Sequence, residues 1–123
     1  DKDALPFWTQ GRVTLMGDAA HPMYPRGSNG SAQALIDART LVDCLVNNES
    51  PLQALQQYES MRLPTTAKVV QTNRTVPPDF IIMKADELSH GQPFKHIDDL
   101  ISQEELRQIS ENYKQIAGFA LKA

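Results

Sequence analysis

The 123 residues hold 12 Lys plus Arg against 15 Asp plus Glu, a net charge of −3, with 41% hydrophobic residues and a single cysteine, Cys44. The length fits one domain, and the acidic balance argues against nucleic acid or an anionic membrane, both of which need a basic face. One cysteine excludes an intramolecular disulfide and a Cys-rich metal site, and no apolar run approaches the roughly 18 residues that span a bilayer.

The chain opens Asp1-Lys2-Asp3, with neither a Met nor a basic-then-apolar leader. That opening suggests a cytoplasmic piece of a longer protein. Residues 12–16, Arg-Val-Thr-Leu-Met, are short, apolar and β-prone, and Gly17-Asp18 stops them. They predict one buried strand ending in a sharp turn. The pattern offers it no neighbouring strand, so it either pairs with another chain or has lost the rest of its sheet, a sign of a fragment. A loop rich in breakers follows to Asn29, holding Pro22, Pro25 and Gly27.

From Gly30 the period changes. Ala32, Leu35, Ile36, Ala38, Leu41, Val42, Leu45 and Val46 recur at spacings of three and four and predict a helix with one apolar face, stopped by a left-handed cap at Asn47-Asn48. Ser50-Pro51-Leu52-Gln53 reads as a helix start with Ser50 as the capping residue. Pro64 is expected to kink or end that helix, which resumes over residues 68–74 and breaks at Val76-Pro77-Pro78. Residues 79–88 suggest a short helix closed by Ser89-His90-Gly91. Ser102-Gln103-Glu104-Glu105 forms a capping box for a last helix that ends at Gly118.

The stretch from Gly17 to Gly30 carries whatever chemistry there is. A carboxylate, Asp18, follows a strand where α/β sheets bind ligands, and it can accept hydrogen bonds from sugar hydroxyls. Gly27 and Gly30 admit close backbone approach, and the helix start offers free N–H groups to an anion. These residues alone are compatible with a nucleotide or cofactor site and with a structural turn. Asp18 and His21 lack a third ligand, so no metal is expected. His21 has no Ser or Cys partner and reads as a hydrogen-bonded structural residue, Cys44 as a small core residue, and His90 and His96 as surface residues. Asp37 and Arg39 read as polar groups of the helix, with Asp37 able to orient the loop from behind. Tyr58 and Arg62 pack and hydrogen-bond. Tyr24 is open between a substrate-facing aromatic and a loop anchor. Glu104, Glu105 and Glu111 form a solvated face.

Arg-Val-Thr-Leu-Met-Gly-Asp-Ala-Ala-His, with the Pro-rich loop and Gly-Ser-Asn-Gly, resembles the second FAD-binding motif of class A flavoprotein aromatic hydroxylases. The Met23-Tyr24-Pro25-Arg26-Gly27-Ser28-Asn29-Gly30-Ser31-Ala32-Gln33 version is most similar to the phenazine-modifying branch. Tyr58-Glu59-Ser60-Met61-Arg62-Leu63-Pro64, Val76-Pro77-Pro78-Asp79 and the run from Tyr113 to Phe119 agree with it. The resemblance implies a mainly α fragment of an α/β, glutathione-reductase-like Rossmann fold, with one parental sheet strand followed by helices. Residues 1–48 would be the second FAD-motif segment and residues 49–123 a C-terminal helical region. The Gly-x-Gly-x-x-Gly unit and the substrate sheet are absent, as expected of the C-terminal third of such an enzyme.

By the same resemblance, Asp18 would bond the ribityl chain of FAD. Pro25, Arg26 and Gly27 would lie along the isoalloxazine ring. Ser28, Asn29 and Gly30 would offer N–H groups to the N1–C2=O2 edge. Tyr24 and His21 would stand near substrate or behind the loop, and no catalytic residue is assigned. The family reaction uses NAD(P)H, O2 and FAD to hydroxylate a small aromatic substrate. The isolated chain is expected to be inactive, free of FAD and prone to self-association, with residues 1–29 displaced, mobile or held by a neighbouring copy. The rival reading is a non-catalytic helical interaction module.

Overall fold

Among the described residues, four helices make up most of the structure. β1 (Thr9–Gln10) and β2 (Val13–Thr14) form an antiparallel hairpin, with Thr9 opposite Thr14 and Gln10 opposite Val13. A 3-10 turn at Gly17–Ala19 precedes α1 (Gly30–Asn47), α2 (Pro51–Thr75) and α3 (Phe80–Ser89). A second 3-10 turn at Ile97–Asp99 leads into α4 (Gln103–Ala117). The computed structural model describes residues 1–77 and 79–118; Pro78 and Phe119, both in the motifs above, lie outside them.

The single buried strand over residues 12–16 is corrected. Only Val13–Thr14 is laddered, its partner is the chain's own Thr9–Gln10, and Val13 is 68% exposed. The two strands turn at Gly11, whose φ of 60° suits a two-residue hairpin connection. The Thr9 and Thr14 hydroxyls bond across the ladder at 2.9 Å. Glu59 of α2 takes the N–H groups of Trp8 at 2.8 Å and Thr9 at 2.5 Å, which pins the hairpin down. Residues 1–29 therefore lie against the helices and are not displaced from them. Lys2 N–H donates to the Pro22 carbonyl at 3.2 Å, and Arg74 pairs with Asp1 and Asp3.

Trp8, Ala20, Cys44, Ala54 and Tyr58 form a buried cluster, with Leu5, Leu15, Leu41 and Leu63 packed on it. The Trp8 ring centroid lies 5.8 Å from Tyr58 and 5.7 Å from His21, both tilted. The Tyr58 hydroxyl donates to the Leu15 carbonyl at 3.1 Å and fixes the exit from the hairpin.

α1 does not bury the whole apolar stripe that its sequence displays. Leu35 is 73% and Val46 77% exposed, and Val42 and Leu45 are exposed too. Its buried residues are Gln33, Asp37 and Cys44, spaced four and seven apart on the opposite side. Periodicity reveals that a helix has an apolar face but not which face a neighbour covers.

α2 runs unbroken through Pro64, against expectation. A proline in mid-helix costs about 3 kcal/mol, but Tyr58 and Arg62 before it and Thr66, Val69, Val70 and Asn73 after it are all buried. Packing on both sides outweighs the lost bond. The hydroxyls of Thr65 and Thr66 bond the Met61 and Arg62 carbonyls in the adjoining turn.

The helix ends follow the sequence unevenly. Ser102 Oγ accepts from Glu105 N–H at 3.2 Å, and α3 and α4 stop at left-handed His90 (φ 53°) and Gly118 (φ 80°). Ser50, however, makes no side-chain capping bond, and Asn48 is extended where a left-handed cap was expected. Among the described residues, no helix is long and apolar enough to cross a membrane.

Candidate functional site

Gly17 opens the site. Its φ is 61°, and a Cβ there would stand 3.3 Å from the Ala34 Cβ, so the turn lies tight against α1. Its N–H donates to Asp37 Oδ2 at 3.0 Å. This contact faces Asp18 outward, where its carboxylate lies beside the first residue of α1. Asp18 Oδ1 is 3.8 Å from where a Gly30 Cβ would sit, an ordinary contact distance.

Behind that turn, Asp37 is fully buried and surrounded by donors. His21 Nε2 lies 2.5 Å from Oδ2, and Arg62 Nε donates to Oδ1 at 2.7 Å. Burial alone would raise the Asp37 pKa. The hydrogen bonds from His21, Arg62 and Gly17 outweigh it and hold the carboxyl below its ordinary value. Burial, with Asp37 nearby, pushes the Tyr58 phenol above its usual range, and burial likewise raises the Cys44 thiol. Asp37 is thus committed to three internal donors, and among the described residues no cluster of His, Cys, Asp or Glu is arranged to hold a metal. The His21 Nδ1, also buried, has no partner among the described residues.

The polar chain continues under the start of α1. Arg62 donates to Gln33 Oε1 at 2.6 Å. Gln33 Nε2 donates to the Ala117 carbonyl at 2.8 Å and to Asn29 Oδ1 at 3.3 Å. Asn29 holds the N-cap position, yet its side chain makes no capping bond, and the first turn of α1 has no acidic residue. The N–H groups that open α1 therefore keep their partial positive charge.

The loop leading into α1 is shaped by two successive left-handed residues, Gly27 (φ 86°) and Ser28 (φ 50°). Ser28 N–H bonds the Pro25 carbonyl at 3.1 Å. Asn29, which follows in the right-handed region (φ −99°, ψ −15°), reverses the hand after Ser28, and such a change turns successive N–H groups toward one side, which suits an anion. Arg26 forks onto Asp79, with Nε and Nη2 at 3.0–3.1 Å from its oxygens, and so ties the loop to the residue before α3.

The structure thus brings Asp18, Gly27, Ser28, Asn29 and Gly30 to one end of α1. Pro25 and Tyr24 are exposed on the same loop. The Arg26 guanidinium is paired with Asp79. His21 and Asn29 are buried. Sequence reasoning missed Gln33 as a support of the site and Glu59 as a support of the hairpin before it. One signal was present: Asn29, Gln33 and Asp37 recur every four residues and mark a polar stripe on α1.

These residues fit a flavin nucleotide. An outward carboxylate can take ribityl hydroxyls, and a helix start without a side-chain cap, preceded by a left-handed pair, can receive an electron-rich ring edge.

Residues 4–73 match the FAD binding domain family. The chain is 53% identical over 74 residues to phenazine 1,6-dicarboxylic acid hydroxylase of Lysobacter antibioticus, covering 60% of this chain and 18% of that protein. It is 47% identical over 81 residues to 3-amino-4-hydroxybenzoate 2-monooxygenase of Streptomyces cremeus, covering 65% of this chain and 21% of that protein. It is 44% identical over 81 residues to 3-hydroxybenzoate 6-hydroxylase 1 of Aquipseudomonas alcaligenes, with 66% and 20% covered. The matches span about a fifth of the length of these relatives. Residues 4–73 make up more than half of the chain, which therefore belongs to the FAD binding domain family.

Proposed function

We propose that this chain forms the flavin-facing part of an FAD-dependent monooxygenase that hydroxylates a small aromatic compound with NAD(P)H and O2. The observation that carries this is the convergence of Asp18 and the left-handed Gly27-Ser28 pair on the start of α1, within the stretch that belongs to the family. Bound FAD supplies the electron transfer and oxygen activation. Asp18 accepts hydrogen bonds from the ribityl hydroxyls. Pro25, Arg26 and Gly27 run along the ring, and the backbone N–H groups of Ser28, Asn29 and Gly30 meet the N1–C2=O2 edge. The start of α1 would there favour negative charge on the bound ring. His21, Asp37 and Arg62 hold the loop in shape and do not touch the flavin. Tyr24, exposed beside the loop, faces the aromatic substrate.

The grip on the ADP half of FAD, and the wall of the substrate pocket, belong in this reading to the remainder of the full-length polypeptide. The test is to express the full-length protein containing this chain, record its visible spectrum, titrate it with FAD and follow NAD(P)H oxidation with candidate aromatics. A yellow protein whose NAD(P)H oxidation responds to an aromatic supports the reading. A folded, purified protein that takes up no FAD overturns it.

A further inference from the structure

Tyr113 lies on α4, outside the 4–73 stretch of the family model, yet its hydroxyl reaches the buried start of α1. Asn29 Nδ2 donates to Tyr113 Oη at 3.2 Å, and Tyr113 Oη donates to Asn73 Oδ1 at 2.9 Å. The directions are mutually consistent. Asn29 Oδ1 already accepts from Gln33 at 3.3 Å, so the Asn29 amide donates outward, and the hydroxyl that accepts it passes its own proton to Asn73. Asn73 Nδ2 in turn lies 3.6 Å from Met23 Sδ, inside the same loop. One turn further along α4, the Ala117 carbonyl receives Gln33 Nε2 at 2.8 Å.

α4 therefore grips both polar side chains that underlie the first turn of α1. Asn29 and Asn73 are fully buried, so neither has water to replace the Tyr113 hydroxyl. We infer that Tyr113 is a positioning residue: its hydroxyl fixes the Asn29 side chain, and through it the direction of the N–H groups that open α1. On the proposed function, on which this inference rests, α4 thereby sets how firmly the N1–C2=O2 edge is held and how readily bound flavin is reduced. A misdirected helix start stabilises negative charge less, and reduction is what places that charge.

The test uses the full-length protein and its Tyr113→Phe variant, which keeps the ring and removes the hydroxyl. Loss of this hydrogen bond is expected to weaken FAD binding roughly three- to tenfold and to move the two-electron flavin potential to more negative values. The potential is the deciding measurement. A merely structural loss lowers the folded fraction, but the flavin that remains bound still sees an intact site. Weaker binding with an unchanged potential, or no change in either, overturns the positioning role. Asn73→Ala, which keeps the Tyr113 ring but removes the acceptor that orients its hydroxyl toward Asn29, is expected to shift the potential in the same direction. Combined with Tyr113→Phe it should add little, because both act through one hydroxyl; full additivity would count against the inference. A wild-type protein that binds no FAD defeats the proposed function itself, and is told apart because no variant is involved.

Discussion

Asp37 lies on the side of α1 opposite its apolar stripe, and it is among the most completely buried residues of the chain. Its charge is bearable because Arg62, His21 and the Gly17 N–H converge on it. The folded carboxyl holds its proton less tightly than the unfolded one. Its stabilisation is therefore present above the ordinary aspartate value, about pH 4, and is lost as pH falls through the lower, folded-state value. Asp37→Asn should remove this acid dependence and cost about 3–5 kcal/mol at neutral pH, because it leaves the Arg62 charge buried without a counter-charge. Urea unfolding of both forms between pH 7 and pH 3 measures both effects. Asp18 is the opposite case, exposed and clear of the core. In the full-length protein, Asp18→Ala should weaken FAD binding roughly ten- to a hundredfold, the worth of a charge-assisted hydrogen bond. The circular dichroism of the helices should stay unchanged, and an unaltered FAD dissociation constant would remove Asp18 from the site.

The close approach of the Gly17 turn to α1 gives a sharper test of how the elements meet. Gly17→Ala places a methyl 3.3 Å from the Ala34 Cβ in a left-handed backbone, with an expected loss of about 1–3 kcal/mol in thermal or urea unfolding. The turn itself was legible from Gly17-Asp18, and so were the spans of α1, α3 and α4, because breakers and period act locally, although the left-handed cap expected after α1 is replaced by an extended Asn48. What was not legible depended on partners far along the chain. The hairpin is held by Glu59, some 50 residues on, and no local pattern announces such a carboxylate. α2 survives Pro64 because its second half packs, which a propensity argument does not see. For the candidate site, the Gly-Asp-Ala-Ala-His core and the glycine-flanked loop were readable as a cofactor motif from residue type and spacing. Its support from Gln33, Asn73 and Tyr113 was not, since amides and a phenol separated by up to 84 residues meet only in the fold.

Across the molecule, polar chemistry is concentrated inside and part of the apolar surface outside. Leu35, Val42, Leu45 and Val46 leave an apolar strip along α1, although Leu41 is turned toward the core cluster. A strip of this kind seeks cover. The 123-residue chain on its own is expected to self-associate with concentration, and a paired Leu35→Glu, Val46→Lys change should reduce that in sedimentation velocity. Concentration-independent monomers of the unaltered chain would contradict it. The opposite side of the same helix carries Cys44, the chain's one thiol, shut between α1 and α2 and kept protonated by its burial. A thiol reagent can reach it only when the two helices part, so its rate of reaction is a clock for that event. Labelling should be slow in the folded chain, quicken as Asp37 or Gly17 is replaced, and leave the rest of the surface silent. The parting of α1 and α2 can thus be timed through a native side chain, with no flavin present.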